Sequence, residues 1–185
     1  MKSLRSNSPR GNILRAAGLA CALFALSAHA QQAAAPSDAQ IAGIVVAANQ
    51  IDIDAGKAAK AKSKNKEVQA FAQQMITDHS AVNKQAGDLV KKLKVKPEDS
   101  DTSKGLKSAA KQTADKLKGL SGAEYDKAYA DNEVAYHQQV LDALDKALIP
   151  NAKNAELKGL LEKVRPAFVA HLEHAKMVVA SLAKK

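Results

Sequence analysis

Four stretches of this chain carry apolar residues at alternating spacings of four and three, a period that only helices satisfy. One runs Val68, Ala72, Met75, His79, Val82, Ala86, Leu89, Leu93. A second runs Ile41, Val45, Ala48, Asp52, Ala55, Ala59, and a third runs Tyr129, Glu133, His137, Val140, Leu144, Leu148. The last runs Leu157, Leu161, Val164, Phe168, His171, Ala175, Val178, Leu182. No window alternates with period two beyond a few residues, and only 3% of the chain is aromatic, so strands are not expected. The chain reads as all-α.

Capping signals divide it further. Ser37 and Gln40 form an S-x-x-Q box that opens a helix over 38–62, and Asn65 caps the next, which the stripe carries to Pro97. A Lys/Ala-rich helix over 103–119 has a thin apolar stripe and is expected to pack peripherally. Ser121 and Glu124 make a second box, opening a helix over 122–149 that Ile149-Pro150 ends. Asn151 or Asn154 caps the last helix, over 155–183, which Pro166 should interrupt and bend. Four long helices and one shorter connector, with short turns after the first and after the 122–149 helix, predict two antiparallel hairpins packed as a four-helix bundle.

Each long helix aims at least one ionisable group along its apolar stripe. Asp52, His79, Glu133, His137 and His171 all stand where an apolar side chain belongs, and His174 follows one turn after His171. Asp52 lies about 11 residues before the first turn and His79 about 14 after it, while Glu133 and His171 lie roughly 17 from the second, so at 1.5 Å per residue they share a depth. A buried unpaired charge costs several kcal/mol. Such groups must therefore pair with each other, with water or with a cation.

Two readings follow. In one, the six residues are candidate ligands of a single divalent ion (zinc, iron, manganese or copper), as bundles build metal sites from carboxylates and imidazoles on facing helices. In the other, no ion is bound, and Asp–His and Glu–His pairs form a hydrogen-bonded layer that fixes helix register. Rotated stripes that expose some of these groups are a third arrangement. The pairs here are Glu133-x-x-x-His137 and His171-x-x-His174, neither of which is the Glu-x-x-His of di-iron bundles. Met75 and Met177 sit near these histidines, but Met on a stripe reads as core. Asp78, about 100° from His79 around its helix, reads as orienting a neighbouring imidazole or as solvated, and Tyr125, Asp126 and Tyr129 read as capping and packing residues.

Residues 1–30 have the parts of a secretory signal: a basic start (Lys2, Arg5, Arg10, Arg15), an apolar run from Ala16 to Ala28, and Ala28-His29-Ala30 before Gln31. Cleavage after Ala30 would leave a flexible leader at 31–36 and one domain at 37–185 in the periplasm or another extracytoplasmic space. It would also remove Cys21, the sole cysteine, and leave 24 basic against 19 acidic side chains, a net charge of +5. No segment is long and apolar enough for a transmembrane span. The remaining basic residues are dispersed lysines with almost no Arg and few aromatics, which excludes sequence-reading nucleic-acid recognition. No Ser-His-Asp pattern, Gly-rich phosphate loop, Cys-x-x-Cys or haem-attachment motif is present, so nothing marks the chain as an enzyme.

At these residues the chain resembles the bacterial domain-of-unknown-function family number 4142. The resemblance rests on Ala48-Asn49 followed by Asp52-Ile53-Asp54-Ala55-Gly56-Lys57, on Val68-Gln69-Ala70-Phe71-Ala72-Gln73-Gln74-Met75 with Thr77-Asp78-His79, on Ser121-Gly122 with Tyr125-Asp126 and Tyr129, and on His137, Pro166 and His171-Leu172. It implies an exported protein with a ferritin-like antiparallel four-helix bundle and one shorter connecting helix, and it marks Asp78, His79, His137 and His171. Asp52 stands where similar chains often carry Glu, a shorter arm less able to bridge two metals. The resemblance supplies no activity. The expected function is that of an exported bundle that binds a divalent metal through the inward layer or uses that layer structurally, with a part in envelope stress tolerance. The alternative is a non-enzymatic envelope module that binds anionic polymers or lipid headgroups through Lys-rich faces.

Overall fold

The computed structural model describes residues 35–184. The export signal, its cleavage point and most of the leader lie outside them. All regular structure among the described residues is helical: α1 (Asp38–Lys62), α2 (Lys66–Lys92), α3 (Asp101–Lys118), α4 (Gly122–Ala143), a π-helical turn (Leu144–Leu148), α5 (Ile149–Asn151) and α6 (Ala155–Leu182). No described helix is long and apolar enough to cross a membrane.

The starts of α1 and α2 follow the sequence. Ser37 Oγ accepts from the Gln40 amide while the Gln40 side chain accepts from the Ser37 amide, and Asn65 Oδ1 accepts from Glu67 and Val68. Elsewhere local chemistry overrides the stripe. The helix expected to reach Pro97 stops at Lys92, because Lys94 turns into the left-handed region at φ 53°. The Lys94 and Val95 amides then fold back onto Lys91 and Val90 carbonyls, a Schellman closure built without glycine. α3 starts at Asp101, with Ser100 and Ser103 capping each other reciprocally.

The second expected box does not form: Ser121 makes no side-chain cap. Gly122, the first residue of α4, stands in the left-handed region at φ 55°, where a capped helix start carries right-handed backbone. Nor does Ile149-Pro150 end the fourth long segment, since helical winding continues through a π turn to Asn151. Pro166 lies inside an unbroken α6. One missing amide donor there is outweighed by burial of Leu161, Val164 and Phe168 on the adjoining turns.

Bonds between α1 and α2 run in opposing register: Asn49 meets His79, Asn83 reaches Val46 and Glu98, past the end of α2, bonds Ala39. Gly56 sets how close these helices come, for a Cβ there would lie 2.9 Å from the Ala72 carbonyl oxygen. α2 and α6 are antiparallel by the same logic, through Glu67–Ser181, Gln74–His174, Asp78–His171 and Gln85–Lys163. α6 also packs along α4, and α3 leans on α1 with only Ser103 fully buried.

The core is divided into two apolar clusters. One gathers Ile41, Leu144, Leu161, Phe168 and their neighbours; the other gathers Val68, Phe71, Met75, Tyr125, Tyr129 and Val178. Between them in sequence on α1, α2 and α4 stand the buried polar residues Asn49, Asp52, His79, Glu133 and His137, and on α6 His171 stands just before their junction, beside Leu172 of the first cluster. Hydrophobic burial on either side holds this layer together.

Candidate metal centre

α1 brings Asn49 and Asp52 to the layer, α2 brings His79, α4 brings Glu133 and His137, and α6 brings His171, each at most 3% exposed. The three imidazoles face one another, with ring centroids 5.6 Å (His79–His137), 5.1 Å (His79–His171) and 5.4 Å (His137–His171) apart. One ring nitrogen from each lies within 4.8 Å of the other two, and Asp52, Glu133 and His137 form a second such group.

Hydrogen bonds behind the rings fix which nitrogen faces the centre. The Asn49 amide donates to the Val45 carbonyl at 2.8 Å, so its Oδ1 is the atom that meets His79 Nδ1 at 2.7 Å. Nδ1 of His79 therefore carries hydrogen. His137 Nδ1 likewise donates to the Glu133 carbonyl at 3.0 Å. His171 uses Nε2 on Asp78 Oδ2 at 2.9 Å. The opposite nitrogens, His79 Nε2, His137 Nε2 and His171 Nδ1, have no hydrogen-bond partner, and neither does either oxygen of Asp52.

Distance and bonding disagree here in an informative way. Asp52 Oδ2 lies 2.9 Å from His79 Nε2 and 3.3 Å from His137 Nε2, yet no hydrogen bond of acceptable angle joins them. Lone pairs of imidazole and carboxylate brought this close repel, and only a second proton on a ring or a cation among them makes the approach favourable. Burial drives the His137 imidazole down to about 4, so its Nε2 lone pair is free at neutral pH. Burial also lowers His171, against the pull of Asp78. Burial, and next the charge of Asp52, push Glu133 well above the carboxylate range, toward its neutral form. Burial alone would raise Asp52 as well, but the adjoining imidazoles, His79 ahead of His137, hold it low once they carry the second proton.

The donor set fits a borderline divalent ion. Each ring has a fixed tautomer supplied by an amide, a carbonyl or a carboxylate, which is how proteins orient metal-bound histidines. A tetrahedral zinc, with Zn–N of about 2.0–2.1 Å, needs ligand nitrogens about 3.4 Å apart, so the facing rings must contract slightly. Five of the six sequence candidates thus meet in one layer. His174 does not: its Nδ1 is engaged by Gln74 Oε1 at 2.9 Å and its ring lies edge-on to Phe71.

Of the two roles open to Asp78 it takes the orienting one: it reaches across to α6 and holds His171, although its side chain remains 40% exposed. Asn49 is part of the family resemblance but is not among the expected site residues. Its sequence signal is an amide three residues before Asp52 amid small apolar residues, on the same helical face. Tyr129 packs as expected, stacked on Tyr125 and edge-on to Phe71, but its buried hydroxyl has no partner.

A family model described as Domain of unknown function (DUF4142) matches residues 24–178. The chain belongs to this family. Among curated proteins none matches it. The solved structure of CopM in the Cu(II)-bound form aligns with this DUF4142 chain at a TM-score of 0.61 and 16% identity, covering 79% of this chain and 98% of that one. At such identity the likeness is one of helical fold.

Proposed function

We propose that this DUF4142 protein binds one divalent metal ion of the borderline class, copper or zinc ahead of manganese, through His79, His137, His171 and Asp52. The observation that carries the proposal is the convergence of three tautomer-locked imidazoles, each with a buried and unpartnered nitrogen, two of which also lie within 3.3 Å of an Asp52 oxygen. Three nitrogens and one oxygen favour copper and zinc over manganese in affinity and ligand preference. Glu133, kept neutral, stands beside the set as a further oxygen. The copper-bound state of CopM, on a similar fold, is consistent with this choice.

The arrangement we infer is a ferritin-like antiparallel bundle with α3 as the crossover. The family's exported character and the signal-like residues 1–30 support delivery outside the cytoplasm, where a metal-handling part in envelope stress tolerance fits. The Lys-rich-surface alternative gains less support, because many exposed lysines sit against carboxylates one turn away, as in Lys84–Asp88, Lys111–Asp115 and Lys127–Asp131.

Elemental analysis of the natively purified protein, with melting curves before and after chelation and on adding copper(II), zinc or manganese, tests the proposal. One ion per chain and a chelator-sensitive melting temperature are expected. Absence of bound metal together with no thermal shift for any ion would sink it.

A further inference from the structure

Beside the imidazole layer lies a cavity of about 80 Å³ that metal binding by itself does not require. Asn49, Asp52, His79 and His137 border it on the polar side, while most of the remaining wall is apolar, including Leu144, Leu148, Leu161, Val164 and Phe168. Tyr136 also lines it, but its hydroxyl is taken up by the Ala48 carbonyl at 2.8 Å. Thr102 and Leu106 of α3 and Gln139 and Ala143 of α4 complete the boundary; Thr102 and Gln139 are exposed. The cavity therefore faces solvent between α3 and α4.

Three features set this space apart from a packing flaw. Protein interiors hold few voids larger than a water molecule. Three of the residues on the polar border, Asp52, His79 and His137, carry buried atoms that lack partners: Asp52 Oδ1 and Oδ2, His79 Nε2 and His137 Nε2. Leu144 and Leu148 reach the cavity from the π-helical turn, a wider winding that recurs at functional sites.

We infer that this cavity is a binding site for a small uncharged molecule of a few heavy atoms, held by the apolar wall and presented to His79, His137 and Asp52. An ion would lose its hydration against such a wall. Size sets the other limit: water takes about 30 Å³ of liquid and a cavity of about 150 Å³ accommodates benzene, so a gas molecule or short alcohol fits and an aromatic ring does not. Presentation of the guest to a bound metal rests on the function proposed above, whereas occupancy of the cavity does not.

Xenon is a suitable neutral probe. Crystals of the full chain under xenon pressure should show anomalous density within this lining, and xenon in solution should shift the methyl resonances of Leu144 and Val164. Ala143→Phe, which plugs the solvent side, should abolish both signals while leaving the melting temperature near the parent value. If that variant fails to fold, the smaller Ala143→Leu must still weaken the methyl shifts. No xenon in the parent, or equal signals in parent and plugged variants, would overturn the inference. Metal analysis on the same samples separates the two ideas: ion without xenon sinks the cavity site alone, and xenon without ion sinks the metal centre alone.

Discussion

At the scale of single residues, His79 and His137 owe their ligand character to the groups behind them. Asn49 assigns the hydrogen of His79 to Nδ1, so Asn49→Leu should lower metal affinity by about 10–100-fold while removing no ligand; competition with a calibrated chelator measures it, and unchanged affinity would contradict the orienting role. The protonation states also make the metal-free protein pH-sensitive. The unfolded His137 takes up a proton near 6.5, but the folded one refuses it until about 4. The stability from burying it neutral is present above 6.5 and is lost as pH falls through that window. Glu133 has the opposite sign, because its folded value is raised: its contribution is full below its ordinary 4.5 and fades as pH rises. Metal-free Glu133→Gln should therefore melt above the parent near neutral pH and converge with it in acid. A constant difference across pH would refute the neutral-carboxyl assignment.

At the scale of elements, the site depends on how closely α1 approaches α2, since Asn49 and Asp52 lie on one and His79 on the other. A methyl on Gly56 would meet the Ala72 carbonyl oxygen at 2.9 Å and Ile76 Cγ1 at 3.1 Å. Gly56→Ala should cost about 1–3 kcal/mol in urea unfolding and weaken metal binding as well. Gly87, in α2 with nothing within 4 Å of its would-be Cβ, is the control: Gly87→Ala should stabilise by about 0.4–1 kcal/mol. The helix ends show how far local signals reach. Ser37–Gln40 was readable because both halves of the box lie within one turn, whereas Ser121–Glu124 has the same spacing and fails at Gly122. The stop at Lys92 was hidden because a lysine, not a glycine, occupies the left-handed position.

At the scale of the molecule, two apolar clusters flank one polar layer, and metal binding there should stabilise all the long helices together. His137 has a single free nitrogen, because Nδ1 donates to the Glu133 carbonyl. The two ligand groups that share it cannot each hold an ion through their own nitrogen, so titration should saturate at one ion per chain. Free metal at about 100 times Kd should add about 2.7 kcal/mol to stability, and calorimetry should show one cooperative transition moving upward. Two equivalent ions per chain would rule out the shared-ligand arrangement.

The sequence by itself determined that the chain is helical and which face of each long helix turns inward, because a period of four and three leaves one place for Asp52, His79, Glu133, His137 and His171. Burial of all five in one layer follows from that periodicity and from equal depth along the helices. What only the tertiary structure decided is which nitrogen each ring offers, that Asp78 holds His171 from another helix, that Asn49 stands behind His79, and that His174 turns to Gln74 instead. Those choices depend on cross-helix distances of about 3 Å, and helical periodicity places a residue on a face without fixing which atom it meets there.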